Sequence, residues 1–357
     1  MTNRTPLTGP CVWQGKDIKD SKRWIRQLSP AHVAELENAL AAVKGKPWQE
    51  IKRADFPITS LDDLLADIRD ELENGCGIMK LKGFPVANHG EDDLRRMYWG
   101  LGIHLGTPVF QNRSGELMRA IRDEGAHVGR TYGQTKDAKG STFLSSYART
   151  LTNGGLRFHT DRTDVVGLLC VRQAMKGGVS TLASTPAIHN AILAKRPDLL
   201  DALFTDYWRS RFGEEGTGKD GSSTTRATAY PLPIFGVRDG KFTSHYSLTF
   251  IEAAQLADDI PKLTPAQKEA IDVLMATAQE LCFEMTLEPG DLQLINSHVT
   301  YHGRTPFEDD ADSGHDRLLL RLWLSMPNNR ALPEGHEVLW RSIEANKVRG
   351  GIAQVAI

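Results

Sequence analysis

The chain has 357 residues, with 43 basic and 45 acidic side chains and a formal net charge of -2; that length is ample for a buried core in one large domain or two. The charges are mixed throughout and leave no basic stripe to neutralise phosphates, which excludes nucleic acid as a partner. The polar N-terminus, with Pro6, Pro10, Asp17 and Asp20, lacks the apolar centre of a signal peptide, and no run reaches bilayer length; Cys11, Cys76, Cys170 and Cys282 are too scattered for a zinc knuckle, a redox dithiol or a disulfide framework, and read as reduced packing residues of a cytoplasmic protein.

In chain order, Ser29-Pro30 opens a helix to about Lys44, since serine caps free amides and proline is tolerated at the first helical position. Ser60 is expected to cap a second helix, in which Leu61, Leu64, Leu65, Ile68 and Leu72 recur at helical spacing until Gly75 and Gly77. Residues 78–84 alternate apolar and polar, which predicts a half-exposed strand, and a third helix spans Glu91 to Leu105. The polar stretch 130–155 is long for a passive connector and reads as a rim or lid. Residues 165–171 form an apolar run of strand length, and Gly177-Gly178-Val179-Ser180-Thr181-Leu182 is a turn into another strand. Thr185-Pro186 and Thr264-Pro265 precede helices ending near Thr205 and Leu281, with a mobile loop expected at 213–225 between them.

Strands dominate the remainder. Asp239-Gly240 marks a hairpin, and segments 283–287 and 292–295, joined by a turn at 288–291, read as a second hairpin that delivers 296–304. In the last strand, 317–324, every even position is leucine and the odd face carries Arg317, Leu319, Arg321 and Trp323. Helices early and strands late predict an α+β protein: a jelly-roll barrel buttressed by helices. Residues 1–75 form an N-terminal helical segment packing on a 76–357 core. A doubly wound sheet is disfavoured by the missing Gly-rich fingerprint.

The chemistry concentrates in Phe158-His159-Thr160-Asp161. If this segment is extended, His159 and Asp161 point to one face. A histidine from a second strand then completes a two-histidine, one-carboxylate set, which suits non-haem ferrous iron and leaves coordination positions open. His298 and His302 both qualify; they differ by four, so strand parity does not separate them. The motif alone is weak, since roughly one His-x-Asp/Glu is expected by chance; the second example, His89-Gly90-Glu91, reads as a turn. Arginines on a buried strand face are costly unless each meets an anion. Arg317 and Arg321 therefore pair either with internal acids such as Glu284 or Asp291, or with a ligand carboxylate through a bidentate fork. Beside an iron face, that ligand is 2-oxoglutarate.

The sequence resembles the iron(II)/2-oxoglutarate-dependent dioxygenases of the TauD/TfdA type, which include clavaminate synthase-like enzymes. The landmarks are residues 77–84, Leu105-Gly106-Thr107-Pro108, Phe158-His159-Thr160-Asp161, Gly177-Gly178-Val179-Ser180, His302-Gly303-Arg304 and Arg317-Leu318-Leu319-Leu320-Arg321. The resemblance implies a double-stranded β-helix and a metal face of His159, Asp161 and His302. It also implies a distal-carboxylate site of Arg317 with a hydroxyl after the Gly-Gly; alignment from the glycines favours Ser180, with Thr181 next. Iron(II), 2-oxoglutarate and O2 are the implied cofactors, with succinate and CO2 released as an unactivated C-H bond is oxidised, foremost by hydroxylation; desaturation and ring closure share the same iron intermediate, and the sequence does not separate them. Arg321 resembles the position that meets an anionic group of the substrate, which implies a small carboxylate- or sulfonate-bearing molecule, and Gln111 and Asn112 reach the pocket by the same resemblance. Asp161 argues against the halogenases, in which a small residue stands there.

Arg162 and Arg304, beside the ligands, either add positive potential at the mouth of the site or, as the commoner case, are structural ion-pair partners; His298 reads as a supporting donor or satisfied core histidine, and His104 as packing. His127, His189, His245, His315 and His336 lie in surface-like polar segments and receive no role. The competing readings are an iron enzyme without 2-oxoglutarate, a cupin-like metal isomerase, and a metal-free binding protein; Arg317 discriminates, because without a co-substrate it needs an internal acid. Loops 130–155 and 208–229 are expected to line the pocket, and loops do not announce which molecule they fit. Nothing in the sequence fixes the oligomeric state.

Overall fold

The computed structural model describes residues 4–137, 139–214 and 227–352. Strand β1 (Ile25–Gln27) leads into helix α1 (Pro30–Ala42), where Ser29 accepts from the His32 amide at 3.2 Å. Helix α2 (Asp62–Glu73) starts without the expected Ser60 cap. The backbone amide of Ser60 donates instead to Glu35 of α1 at 2.9 Å, and a 3-10 turn over Thr59–Leu61 sets the entry. Tertiary contact with a neighbouring helix thus replaces the local cap. Then follow β2 (Ile78–Lys82), α3 (Glu91–Leu105, as predicted), β3 (Thr107–Pro108) and β4 (Met118–Ile121). Beyond them lie β5 (Leu156–His159), β6 (Val165–Arg172), β7 (Ser180–Ser184) and α4 (Thr185–Lys195), whose cap is Ser184 and not Thr185. Helix α5 (Pro265–Leu281), with a Thr264/Gln267 capping box, precedes β8 (Phe283–Met285), β9 (Leu292–Asn296), β10 (Thr300–Arg304) and β11 (Leu318–Ser325).

Two sheets result. The seven-stranded sheet runs β1-β2-β9-β6-β11-β3 with β4 also paired to β11, and the four-stranded sheet runs β8-β7-β10-β5. The β1/β2 pair is parallel and the other pairs in both sheets are antiparallel. Strand alternation explains the layers. The even leucines of β11 (318, 320, 322 and 324) join a core with Leu36, Leu65, Ile68 and Tyr98 of α1 to α3. Leu319 and Trp323 point the other way, into a core shared with Leu182, Phe283 and Ile295 from both sheets. The outer side of the smaller sheet, through Ala183 and Tyr301, is covered by α4 and α5. The order is helix, sheet, sheet, helix, and the site lies between the sheets.

Segments 283–287 and 292–295 are not a hairpin. β8 pairs with β7 in one sheet, while β9 pairs with β2 and β6 in the other. The turn between them has Gly290 at φ 88°, where a Cβ would sit 2.6 Å from the Phe84 carbonyl. A turn signal reports a reversal of direction; it does not say which sheet the next strand joins. The Asp239-Gly240 hairpin does form, with φ of 51° and 75° at its two central residues. The 130–155 stretch is a structured rim: helix Val128–Tyr132, a hairpin, and helix Ser146–Thr150, anchored by buried Phe143, Ala148 and Leu151. Of the expected loop at 213–225, residues 215–225 lie outside the described residues. No helix among the described residues is long and apolar enough to cross a membrane.

Candidate active site

His159 ends β5 and stands in register with His302 in the middle of β10. Cross-strand partners share a face, so the two imidazoles meet, with ring centroids 4.2 Å apart. Asp161 lies just past the strand end, where Thr160 donates its amide to the Tyr246 carbonyl at 2.8 Å. The carboxylate closes the set: Oδ1 is 3.7 Å from His159 Nε2 and Oδ2 is 4.0 Å from His302 Nε2. One donor atom from each residue lies within 4.8 Å of the others. His159 Nδ1 is engaged by the Arg157 carbonyl at 2.9 Å, which leaves Nε2 for a metal.

The protonation states match that use. Burial, and then His159, push His302 down to about 3, so it is neutral at pH 7. Burial works to raise Asp161, but Arg321, the two histidines and the Trp323 indole N-H at 2.9 Å hold it below the usual carboxylate range. A neutral His302 imidazole, the His159 imidazole with its Nε2 free of the Arg157 carbonyl, and one carboxylate on one side of an ion fit ferrous iron.

A second cluster lies at the Gly177-Gly178 end. Arg317 and Arg304 are both 6% exposed and both pack on the Phe307 ring, at 5.1 and 4.8 Å. Neither meets Glu284, which is exposed, or Asp291, which is held by Lys80 at 3.5 Å. Arg317 Nη1 and Arg304 Nε and Nη1 find no hydrogen-bond partner among the described residues. The expected ion pair of Arg304 is therefore corrected: its Nη2 donates to the Thr152 carbonyl at 2.7 Å and to that of Gly154. Burial pulls Arg317 down to about 10, and burial with the Arg317 charge pulls Arg304 to about 9. Ser180 pairs with Arg304 and so faces the same side as His302, two residues along the same strand; Thr181 pairs with Gly303 on the opposite side. Gly178, at φ 67°, lets Arg317 pass, since a Cβ there would sit 2.9 Å from its Nε.

A cleft of about 650 Å³ including its mouth opens beside Asp161, between β11 and the rim. Arg321 stacks on Trp323 at 5.0 Å, donates from Nε to Gln111 Oε1 at 2.7 Å, and brings Nη1 within 3.6 Å of Asp161 Oδ2. Gln111 and Asn112 line the cleft with their amides engaged. The Gln111 amino group goes to the Arg321 and Leu117 carbonyls, and that of Asn112 to Glu116 and Tyr147, each at 2.8 Å. Arg162, also in the wall, has the ion pair expected of it, with Glu214.

His298 is the satisfied core histidine: Nε2 meets Asp164 and Nδ1 meets Thr243, each at 2.9 Å. His104 bonds the Phe56 carbonyl at 2.8 Å. The surface reading fails for His189, His245 and His336, which are buried. His245 lines the cleft and bonds Thr160 Oγ1 at 3.0 Å. Its polar neighbours in sequence concealed this; like Glu214, Tyr230 and Ile352, it reaches the cleft only through the tertiary fold.

The chain matches the family described as taurine catabolism dioxygenase TauD, TfdA over residues 34–323. It is 32% identical to FR-33289 synthase of Streptomyces rubellomurinus over 92% of this chain and 93% of that one. To clavaminate synthase 2 of Streptomyces clavuligerus it is 27% identical, over 62% and 67%. Among solved structures, asparagine oxygenase in complex with Fe(II), hydroxyasparagine and succinate superposes with a TM-score of 0.61 at 17% identity, covering 85% of this chain and 93% of that one. The non-haem iron oxygenase OrfP with Fe and alpha-ketoglutaric acid does so with 0.57 at 15% identity, covering 84% and 94%. The chain belongs to the TauD/TfdA family, and it is an oxygenase dependent on iron(II), 2-oxoglutarate and O2.

Proposed function

We propose that this enzyme hydroxylates an unactivated C-H bond of a small anionic substrate bound in the cleft beside Asp161. In this reading His159, Asp161 and His302 hold the iron, Arg317 and Ser180 hold the distal carboxylate of 2-oxoglutarate, and Arg321 faces the anionic group of the substrate. Bound iron with 2-oxoglutarate supplies O2 activation, with succinate and CO2 as co-products. The protein's own residues position and exclude water. His159 is oriented by the Arg157 carbonyl, Asp161 is kept ionised by Arg321 and Trp323, and Gln111 fixes the Arg321 fork. Thr181 faces away from His302 and contributes no contact to the co-substrate.

The observation that carries the co-substrate assignment is Arg317, a buried guanidinium with a free Nη1 among the described residues and no salt-bridged acid. Such a group needs an anion. The two facing sheets support a double-stranded β-helix over 76–357, with 1–75 as a segment packed on it and lending strand β1 to its sheet. A cytoplasmic location and a carboxylate or sulfonate on the substrate belong to the same reading.

The test is an anaerobic ferrous titration followed by 2-oxoglutarate, watching the visible charge-transfer band of the chelate. A saturable band, lost in His302→Ala and weakened in Arg317→Ala, is expected; iron binding with no band refutes the 2-oxoglutarate site. Arg321→Ala is expected to weaken substrate binding far more than 2-oxoglutarate binding, and equal losses would refute its assignment.

A further inference from the structure

Residues 349–352 take a course that the reaction described so far does not use. Arg349 is fully buried, and its Nε donates to Asp164 Oδ1 at 2.8 Å, while its backbone amide donates to Ser325 Oγ at 3.0 Å. Past it, the chain lies directly on two loops of the site. The Gly351 amide donates to the Arg162 carbonyl at 2.7 Å, and that of Ile352 to the Phe110 carbonyl at 2.8 Å. Both contacts require glycine: Gly350 and Gly351 have φ of 76° and 68°. A Cβ would sit 2.9 Å from the Arg162 carbonyl at Gly350, and 2.8 Å from Val109 at Gly351. This close approach places Ile352 in the cleft wall with Asp161, Arg321 and Trp323.

The anchor is strong for a physical reason. Asp164 accepts from Arg349, Ser325, Asn329 and the Met326 amide, and also meets His298, so the buried charge is compensated on both oxygens. Asp164 sits three residues beyond Asp161 on the same loop. The seating of the 349–352 segment is therefore tied to the loop that carries a metal-site carboxylate.

We infer that residues 349–352 form a specificity wall of the substrate cleft, latched by Arg349 on Asp164, and that Ile352 limits the length of the carbon segment held beyond Arg321. The inference rests on the reading of the cleft as the site of a small anionic substrate. Arg321 supplies the charged end, and Trp323, Phe250 and Ile352 supply apolar surface for the carbon segment. Ile352 is a specificity residue, and Arg349 a positioning residue that acts through the backbone it holds.

Two measurements test this on the whole protein. In the first, straight-chain alkanesulfonates from ethane to octane are titrated by anaerobic calorimetry into enzyme carrying Fe(II) and 2-oxoglutarate. Affinity is expected to rise about fourfold per added methylene until the wall is met, and then to fall. Ile352→Ala moves the optimum to longer chains and Ile352→Trp to shorter ones, with 2-oxoglutarate affinity unchanged; the same optimum in all three proteins overturns the inference. In the second, hydrogen exchange is followed at the Gly351 and Ile352 amides. They are expected to be protected in the wild type and to lose protection in Arg349→Met, and also in Gly351→Ala, which keeps the buried ion pair and so guards against global unfolding. Exchange at free-peptide rates in the wild type overturns the latch. If no sulfonate binds the wild type while both amides are protected, the latch stands and the anionic-substrate reading is what fails.

Discussion

The molecule contains two His-Asp sets built from the same two stretches of chain, and they differ in how much of their bonding capacity is used. Asp161 and His302 are little used by the protein: the carboxylate takes one indole N-H, with a guanidinium nearby, and the His302 imidazole, whose Nε2 lies 4.0 Å from Asp161 Oδ2, has no hydrogen-bond partner among the described residues. Asp164 and His298 are saturated, the carboxylate by Arg349, Ser325, Asn329 and a backbone amide, and the imidazole by Asp164 and Thr243. Burial by itself would raise Asp164, yet the His298 bond and Arg349 hold it at about 2. The comparison teaches that residue type and proximity do not make a ligand set. Unspent donor capacity converging on one point marks the candidate set, and a set whose lone pairs are all spent stabilises the fold instead.

Exchanging the two sets by mutation gives the largest effects. Asp161→Ala is expected to abolish the ferrous 2-oxoglutarate band and succinate release with little change in melting temperature. Asp164→Ala leaves Arg349 buried and uncompensated, and is expected to lose about 3–5 kcal/mol of stability. Thermal melting and the iron titration, run on both variants, separate the roles; iron loss from Asp164→Ala while it is still folded would break the distinction. Next in size, Arg317→Met is expected to weaken 2-oxoglutarate binding on the order of a hundredfold, the range for removing one partner of a buried charge contact, while the iron dissociation constant barely moves.

A pH titration of the metal-free protein sharpens the comparison from another side. Burial lowers His302 to about 3 and His336 to about 4, and it also lowers His245 and His298. Groups neutral when folded but able to bind protons when unfolded make the unfolded state the better proton acceptor below pH 6.5. Stability is therefore full above that value and falls as the pH drops from about 6.5 towards 4, by up to about 1.4 kcal/mol per pH unit for each such histidine. Melting temperatures that stay flat over this window would mean that these histidines are charged in the folded state. The smallest effect separates two adjacent hydroxyls: Ser180→Ala is expected to weaken 2-oxoglutarate binding about tenfold, as for a lost hydrogen bond to a charged group, and Thr181→Ala to leave it within about twofold.

The site was legible in uneven parts. His159 and Asp161 could be read together because they are two residues apart, although the strand assumed for both ends at His159 and Asp161 lies past it; Arg317 and Arg321 could be read because a run of alternating leucines declares which residues face the other way. His302 could not be told from His298 by parity; the pairing of β10 with β5 puts the first beside His159, and the turn before β10 puts the second beside Asp164. The supposed hairpin at 283–295 failed for the same kind of reason, because sheet membership is a long-range property. His245 was misread because polar neighbours along the chain say nothing about neighbours in space.

The sequence by itself determined the starts of the helices at Pro30, Glu91 and Pro265 from caps and periodicity, the two faces of β11 from its alternation, a candidate iron-type donor set from residue chemistry, and the cost of placing arginines on a buried strand. Each of these follows from interactions within a few residues or from the cost of burying charge. The helix expected from Thr185 to about Thr205 instead ends at Lys195, and a second helix spans Pro197–Leu203. Only the tertiary structure decided which histidine lies beside His159, which hydroxyl shares its face, that Arg304 ends on backbone carbonyls, and that Ile352 closes the cleft. Those outcomes depend on contacts between segments far apart in the chain, fixed by how two sheets pack and by glycines that allow close approach. Local pattern carries no information about either.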